Sequence, residues 1–140
     1  VLGAIRYSPS RVLLHRDTSL LPQRKRAWSS WNYRVSEASN QQATTTYYMN
    51  MLQNLSTDQD YCVTLNDGGQ VDPSKILQEM EYWHPVFDRA ALEAQDRVEE
   101  VSGVLNTHYC GAYWGYGFHE DGVQSGLRVV RELKESLVYA

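Results

Sequence analysis

Residues 109–133 read "YCGAYWGYGFHEDGVQSGLRVVREL" and decide the fold class of this 140-residue chain. Their first half sets four glycines among aromatic residues, at Gly111, Gly115, Gly117 and Gly122. Because glycine weakens regular structure, we interpret this half as a loop that turns tightly or lets another group approach closely. The second half has the apolar spacing of an amphipathic helix, which we predict over residues 121–137.

The predicted last helix carries one apolar face, formed by Val123, Leu127, Val130, Leu133 and Leu137. Such a face normally packs on other elements. The segment "THYCGA" (107–112) precedes the glycines and is predicted to be a buried strand. The end of the chain therefore reads as strand, loop and helix.

Upstream of residue 70 the chain is rich in strand signals. β-branched and aromatic runs predict strands at residues 10–17, 27–35, 44–52 and 61–66. The third run could instead finish in a short helical turn at "MNMLQNL". A polar connector is expected at 38–43, and "NDGG" at 66–69 indicates a turn.

Between the strands and the glycines we predict two helices. Asp72 followed by Pro73 is typical of a helix start and predicts a helix over 72–80. Residues 81–88 should be extended because Pro85 disfavours helix before it, and an apolar stripe predicts a helix over 88–101. The fold class is therefore α+β: a mostly antiparallel sheet and a C-terminal strand–loop–helix. That last unit needs partner strands absent from this chain, and we expect a piece of a longer protein.

Composition excludes several classes. The hydrophobic content of 42% is that of a globular chain, and the net charge of −4 argues against a nucleic-acid partner. The basic run "PQRKRAW" (22–28) is interpreted as a solvated turn. No apolar run reaches the length of about 20 residues that a transmembrane segment needs.

The two cysteines, Cys62 and Cys110, have no metal-ligand or disulfide-framework spacing. Both have apolar or aromatic neighbours, so we expect buried free thiols, a reducing cytoplasmic location and no metal site.

A glycine loop that leads into a helix can hold an anionic or electron-rich group. The first N–H groups of a helix lack intrahelical partners, and the helix dipole is positive at that end. Equally, the glycines could serve only tight turns and packing, and Asp121 only an N-cap. The chain contains neither G-x-G-x-x-G nor G-x-x-x-x-G-K-[ST], so it lacks a complete nucleotide-phosphate loop.

"GFHEDGVQSG" (117–126) resembles the pattern G-[aromatic]-x-E-G-A-x-x-[small]-G of the flavin-containing amine oxidase superfamily. More narrowly, "VLLHRDTSLLPQRKRAWSSWNYR", "YYMNMLQNL", "YWHPVFD" and "YCGAYWGYGFHEDGV" are similar to a bacterial group of predicted NAD/FAD-binding, amine-oxidase-like proteins. The chain resembles the C-terminal third of these proteins.

The resemblance implies non-covalent FAD in the longer protein, with the G-x-G-x-x-G region outside this chain. Residues 1–100 would belong to the substrate-side sheet, and residues 101–140 would return a strand and a helix to the flavin domain. It also implies a set of flavin contacts, made mainly by backbone atoms: Gly111, Trp114, Gly117, Phe118, His119, Glu120, Gly122 and Val123. It identifies no catalytic residue.

The expected function is that of an FAD-dependent oxidoreductase. It would oxidise an amine or an apolar, lipid-like substrate by hydride transfer to the flavin. The piece by itself would be inactive and could self-associate. The alternative is a non-catalytic module whose aromatic residues contact a protein partner.

Several side chains allow two interpretations each. His119 could relay protons or simply bond nearby backbone, and Glu120 with Asp121 could be an acid–base pair or favourable helix-start charges. Trp83, Trp114 and Tyr116 could line a ligand pocket or fill a core. His15 with Asp17 could form a dyad, although a surface pair is the simpler interpretation.

Overall fold

The computed structural model describes residues 1–35 and 43–138, with the side chains of the last helix described as far as Glu135. All but the last residue of the predicted connector 38–43 lies outside this description. The strands are β1 (Tyr7–His15), β2 (Trp31–Arg34), β3 (Thr44–Tyr48), β4 (Cys62–Leu65) and β5 (Ile76–Pro85). The α-helices are α1 (Met49–Leu52), α2 (Arg89–Gln95) and α3 (His119–Val138). The fold is α+β, as predicted.

The chain forms two compact units. One is continuous, Pro9–Trp83, and the other combines Val1–Ser8 with His84–Ala140. The sequence predicts a division at residue 100 instead, and its assignment of the two parts to a substrate side and a flavin side stays a prediction. Among the described residues, no helix has both the length and the apolar composition to cross a bilayer.

The continuous unit is built on the five-stranded sheet, in the order β2-β3-β4-β1-β5. β2, β3, β4 and β1 pair antiparallel, with Leu13 opposite Thr64 and His15 opposite Cys62. Alternation along β1 turns Leu13 and His15 to one face. Leu13 packs there with Leu20 and Val71 in a buried apolar cluster. The four predicted strands are confirmed, with the third ending in the helical turn α1.

A buried polar chain crosses the covered face of the sheet. The His15 Nε2 lies 2.7 Å from Thr64 Oγ1, which lies 2.9 Å from Thr46 Oγ1. The His15 Nδ1 accepts a hydrogen bond of 3.1 Å from the backbone N–H of Asp17. That contact assigns the proton of a neutral ring to Nε2. Burial agrees with this assignment because it lowers the pKa of His15.

Asp17 is also buried, so the predicted surface pair of His15 and Asp17 is wrong. Asp17 Oδ2 accepts from the backbone N–H of Asp72 at 2.9 Å, and Oδ1 accepts from that of Ser19 at 3.1 Å. The Lys75 ammonium lies 3.3 Å from Oδ1. Burial alone would raise the pKa of the Asp17 carboxyl, but these donors outweigh it and lower the pKa to about 2. The carboxylate therefore ties the end of β1 to the start of β5.

The neutral buried His15 predicts an acid-sensitive sheet. Since its pKa is lower in the folded chain than the unfolded value of about 6.5, protonation favours unfolding, and stability falls as the pH drops below that value. We expect the native chain to lose up to about 1.4 kcal/mol per pH unit more than a His15→Gln variant. Urea unfolding between about pH 7 and pH 5.5 measures this difference. If the free energy of unfolding changed equally with pH in both proteins, His15 would not be responsible. The control is His119→Gln, at an exposed histidine.

The predicted helix over 72–80 is wrong. Asp72 does accept from the backbone N–H of Ser74 at 2.9 Å, but it starts only a 3₁₀ turn, Pro73–Lys75. The chain then continues as β5 beside β1. Pairing with β1 satisfies a whole strand of backbone groups and outweighs the local start signal.

The second unit contains α2 and α3. The predicted helix over 88–101 is shorter than expected, because α2 ends at Gln95 and a 3₁₀ turn, Val98–Glu100, follows. Ala91 and Ala94 form its buried face. Residues 1–8 join this unit through a hydrogen bond of 2.8 Å from Val86 N–H to Arg6 O and an ion pair between Arg6 and Asp88.

The predicted last helix is confirmed as α3, which begins two residues earlier than expected. Its predicted packing face is exposed, however. About half of each described side chain of the face is accessible: Val123 55%, Leu127 43%, Val130 45% and Leu133 42%. Leu137 lies beyond the described side chains. Among the described side chains of α3, the buried one is Ser125, on another face.

Candidate functional site

The residues between the predicted strand and α3 form a compact loop, here called the glycine loop (111–118). It contains a 3₁₀ turn, Ala112–Trp114, closed by a hydrogen bond from Trp114 N–H to Gly111 O. Gln95 on α2 donates through Nε2 to Tyr113 O at 2.9 Å and to Gly115 O at 2.7 Å. One amide thus fixes the middle of the loop.

The predicted strand 107–112 is wrong, because its backbone bonds to α3 instead of to a neighbouring strand. Gly111 N–H donates to Ser125 Oγ at 3.1 Å, and the Arg128 guanidinium donates to Tyr109 O at 2.9 Å. Only Thr107 makes a β-bridge, with Val104 across a tight turn. Side chains of α3 thereby satisfy groups that a strand would pair in a ladder.

Asp121 holds the other end of the glycine loop. It is the third residue of α3, and its Oδ2 accepts from Phe118 N–H at 2.8 Å and from Tyr116 N–H at 3.1 Å. A carboxylate that reaches back to the residue before the helix is half of a capping box. Asp121 is therefore not the N-cap residue itself, and its charge favours the helix start.

The three glycines of the loop have local reasons. A Cβ at Gly115 would lie 2.5 Å from Asp121 Oδ1, and one at Gly111 would lie 2.3 Å from the Tyr113 ring. Gly117 has a φ of +88°, which disfavours side chains, and a Cβ there would lie 3.1 Å from the Phe87 ring. These glycines serve the fold of the loop itself.

Gly122 and Gly126 on α3 differ from the loop glycines. The nearest atom to a Cβ at Gly122 would be Ala112 N at 3.8 Å, an ordinary contact, and nothing lies within 4 Å of one at Gly126. The two positions are four residues apart and share one side of the helix. No described atom explains why either position lacks a side chain.

A cavity of about 220 Å³ opens beside the loop and the first turns of α3. Trp114 and Arg128 border it, and the buried Trp114 Nε1 has no hydrogen-bond partner among the described residues. The Arg128 guanidinium also lies 5.8 Å from the centre of the Trp114 ring and makes an ion-pair contact of 3.3 Å with Glu132. The remaining lining residues are Gly115, Asp121, Gln124 and Ser125. Buried N–H donors of this kind are normally satisfied, so the cavity suits a group with acceptor atoms.

The residues with predicted flavin contacts divide into two sets. Gly111, Trp114 and Gly117 are parts of the folded loop, and Gly122 faces it from α3. The side chains of Phe118, His119, Glu120 and Val123 lie at the start of α3, where Phe118 and Val123 are more than half exposed. Glu120 accepts from Gln124 Nε2 at 2.7 Å. The roles of all eight in binding stay predictions.

The other aromatic candidates are not core residues. Trp83 is 58% exposed and Tyr116 is 80% exposed, so core packing is wrong for both. Cys62 is buried as predicted, and burial and the nearby carboxylates of Asp60 and Asp17 raise its pKa to about 12. Cys110 is exposed, contrary to prediction.

A second polar cluster of the same unit joins Ser102, His108 and Glu132. The His108 Nδ1 lies 2.8 Å from Glu132 Oε2 and 3.4 Å from Ser102 Oγ. In a Ser–His–acid relay the acid and the hydroxyl use opposite ring nitrogens. Here both use Nδ1, so this cluster lacks the geometry of a nucleophilic triad.

Sequence reasoning misses the three residues that hold the site together, Gln95, Ser125 and Arg128. It places Gln95 only in the stripe of a helix and does not single out Arg128. No local motif marks either one, because each acts on backbone 18 to 20 residues away in the chain. Comparison with known families and with curated proteins found no match.

Proposed function

We propose that this chain is the C-terminal part of an FAD-dependent oxidoreductase, with the start of α3 against the flavin. The observation that carries the proposal is the pair of glycines on α3. Glycine in a helix interior costs about 1 kcal/mol relative to alanine. Two such positions without a local reason are expected where another flat group or backbone must come close.

The donors around this surface fit the acceptor-rich pyrimidine edge of a flavin. The backbone N–H groups of His119, Glu120 and Asp121 form the first turn of α3, where helices lack intrahelical partners. Trp114 Nε1 adds a buried donor beside them. Asp121 and Gln95 hold the loop in place without a ligand, so these donors are preorganised.

Bound FAD would supply a two-electron acceptor for hydride. The role of this chain would be to place partial positive charge beside the flavin ring, where negative charge develops when the flavin is reduced. The proposal includes non-covalent binding, a cytoplasmic location, and an amine or an apolar, lipid-like substrate. It assigns no proton-transferring residue.

A second candidate function is a protein-interaction module. The large exposed fractions of Trp31, Trp83 and Tyr116 favour it. In that case the two glycines of α3 would meet a partner protein instead of a cofactor.

The test is Gly122→Leu in the intact protein. Absorption bands at about 375 and 450 nm that persist through gel filtration would identify bound flavin. We expect the leucine side chain to remove these bands while helix stability is kept or raised, since leucine is the better helix former. Gly3→Leu is the matched control, because a Cβ at Gly3 meets no atom within 4 Å.

Two outcomes would contradict the flavin proposal. One is a folded, colourless intact protein that FAD does not reconstitute, which would favour the interaction module. The other is a Gly122→Leu variant that retains its flavin at the level of the control.

A further inference from the structure

A second surface, on the continuous unit, has an unusual composition. Residues 18–36 contain no aspartate or glutamate, the next acidic residue being Glu37, yet they carry four cations in a chain of net charge −4. The same stretch contains Trp28, Trp31 and Tyr33. We call residues 18–35 the basic–aromatic segment.

The cations of this segment are exposed and lack acidic partners among the described residues. Across residues 1–35 and 43–138, no carboxylate lies within ion-pair distance of the four, which are Arg24, Lys25, Arg26 and Arg34. By contrast, Arg6, Arg11 and Arg89 each pair with a carboxylate. If residues 22–28 were only a solvated turn, this concentration of positive charge without carboxylate partners among the described residues would have no role.

The basic turn is attached firmly to the sheet. Trp28 donates from Nε1 to Pro22 O at 2.7 Å, which closes the loop around the cations. Its ring packs edge-on against Tyr48 with centres 4.9 Å apart, and Lys25 Nζ lies 5.0 Å from the ring centre. The charges are therefore presented by a fixed loop.

Large apolar side chains stand beside these charges on edge strand β2 and directly after it. Trp31 is 58% exposed, Tyr33 69% and Val35 72%. Alternation along the strand places all three on one face. A groove of about 530 Å³ runs between β2 and residues 19–29, with Trp31, Tyr33 and Arg34 among its lining residues.

We propose that the basic–aromatic segment docks on an anionic lipid surface. Tryptophan and tyrosine rings favour the headgroup level of a bilayer, and lysine and arginine beside them attract anionic lipids. A nucleic acid would need a wider basic footprint, whereas the rest of this chain is strongly acidic. The docking is peripheral and independent of the flavin proposal.

The test compares vesicles of phosphatidylcholine with vesicles that also contain phosphatidylglycerol. We expect the intact protein to cosediment with the anionic vesicles only, and less at high salt. The triple change Arg24→Gln, Lys25→Gln and Arg26→Gln should weaken binding by roughly 100-fold, at about fivefold per cation. The Trp31→Ser variant should also bind the vesicles more weakly, although the net charge of the protein is unchanged. The control is Arg89→Gln, Arg131→Gln and Lys134→Gln, which removes the same charge from sites elsewhere in the chain.

Circular dichroism establishes that each variant is folded. If the control triple variant lost as much vesicle binding, the loss would be explained by net charge alone, and the proposal would be overturned. So would equal binding to both vesicle types, or binding to neither. Binding to a single-stranded oligonucleotide without binding to anionic vesicles would assign the segment to nucleic acid instead.

Discussion

Replacing Asp17 with alanine is expected to lower the free energy of unfolding by about 2–4 kcal/mol. The change leaves the backbone N–H groups of Ser19 and Asp72 without their acceptor and removes the partner of Lys75. Urea unfolding near neutral pH measures the loss. Asp58→Ala, at an exposed carboxylate, should change stability little.

The pH dependence distinguishes this network from a simple packing defect. The pKa of Asp17 is about 2 in the folded chain and about 3.8 in the unfolded chain. Its ionised form thus contributes stability above about pH 4, and this contribution of about 2 kcal/mol is lost as the pH falls toward 2. The gap between native and Asp17→Ala should shrink by that amount in acid. A gap that is constant with pH would show that the carboxylate charge is not what stabilises the fold.

Leu13→Ala is expected to cost about 2–5 kcal/mol. Leu13 is fully buried between Leu20 and Val71, with Ile76 against the cluster, so truncation leaves a cavity that strands fixed by pairing can fill only in part. The loss should not vary with pH, in contrast to that of Asp17→Ala.

The matched control for Leu13 is Leu77→Ala, which makes the same truncation at a side chain that is 47% exposed on β5. Guanidinium unfolding of both variants gives the comparison. Losses of similar size would mean that the cluster around Leu13 is not the core of this unit.

The sheet was largely predictable because its strands carry their own signals. β1, β3 and β4 coincide with β-branched runs, and β3 and β4 alternate between buried and half-buried side chains. Residues 76–80 of β5 were assigned to a helix because Asp72 and Pro73 form a true local start signal, which the structure uses for one 3₁₀ turn only. Pairing with β1, a strand far earlier in the chain, makes residues 76–85 extended, and no local pattern encodes that pairing.

The C-terminal region shows a different limit. The periodicity of α3 predicted its helical state correctly, but it did not predict what the apolar face touches, and that face is exposed. The strand prediction for 107–112 failed since a strand requires a neighbour, and here Ser125 and Arg128 take its place.

The candidate site was predictable as a pattern of glycines and not as a set of contacts. The loop and the helix start were located from residue types alone. The side chains of Asp121, Tyr113 and Phe87 crowd the position of a Cβ at the loop glycines, whereas Gly122 and Gly126 have room for one. Those distances exist only after the chain folds.

The division into units also sets an order of events on the ribosome. Residues 9–83 form a continuous stretch, so the residues of this unit are all present once residue 83 has been made. The other unit must join residues 1–8 to residues 84–140, which are synthesised only after the whole continuous unit. Its closure therefore carries the larger loop entropy and comes last. During that interval Ile5, which is buried in the native state, lacks the contacts that bury it.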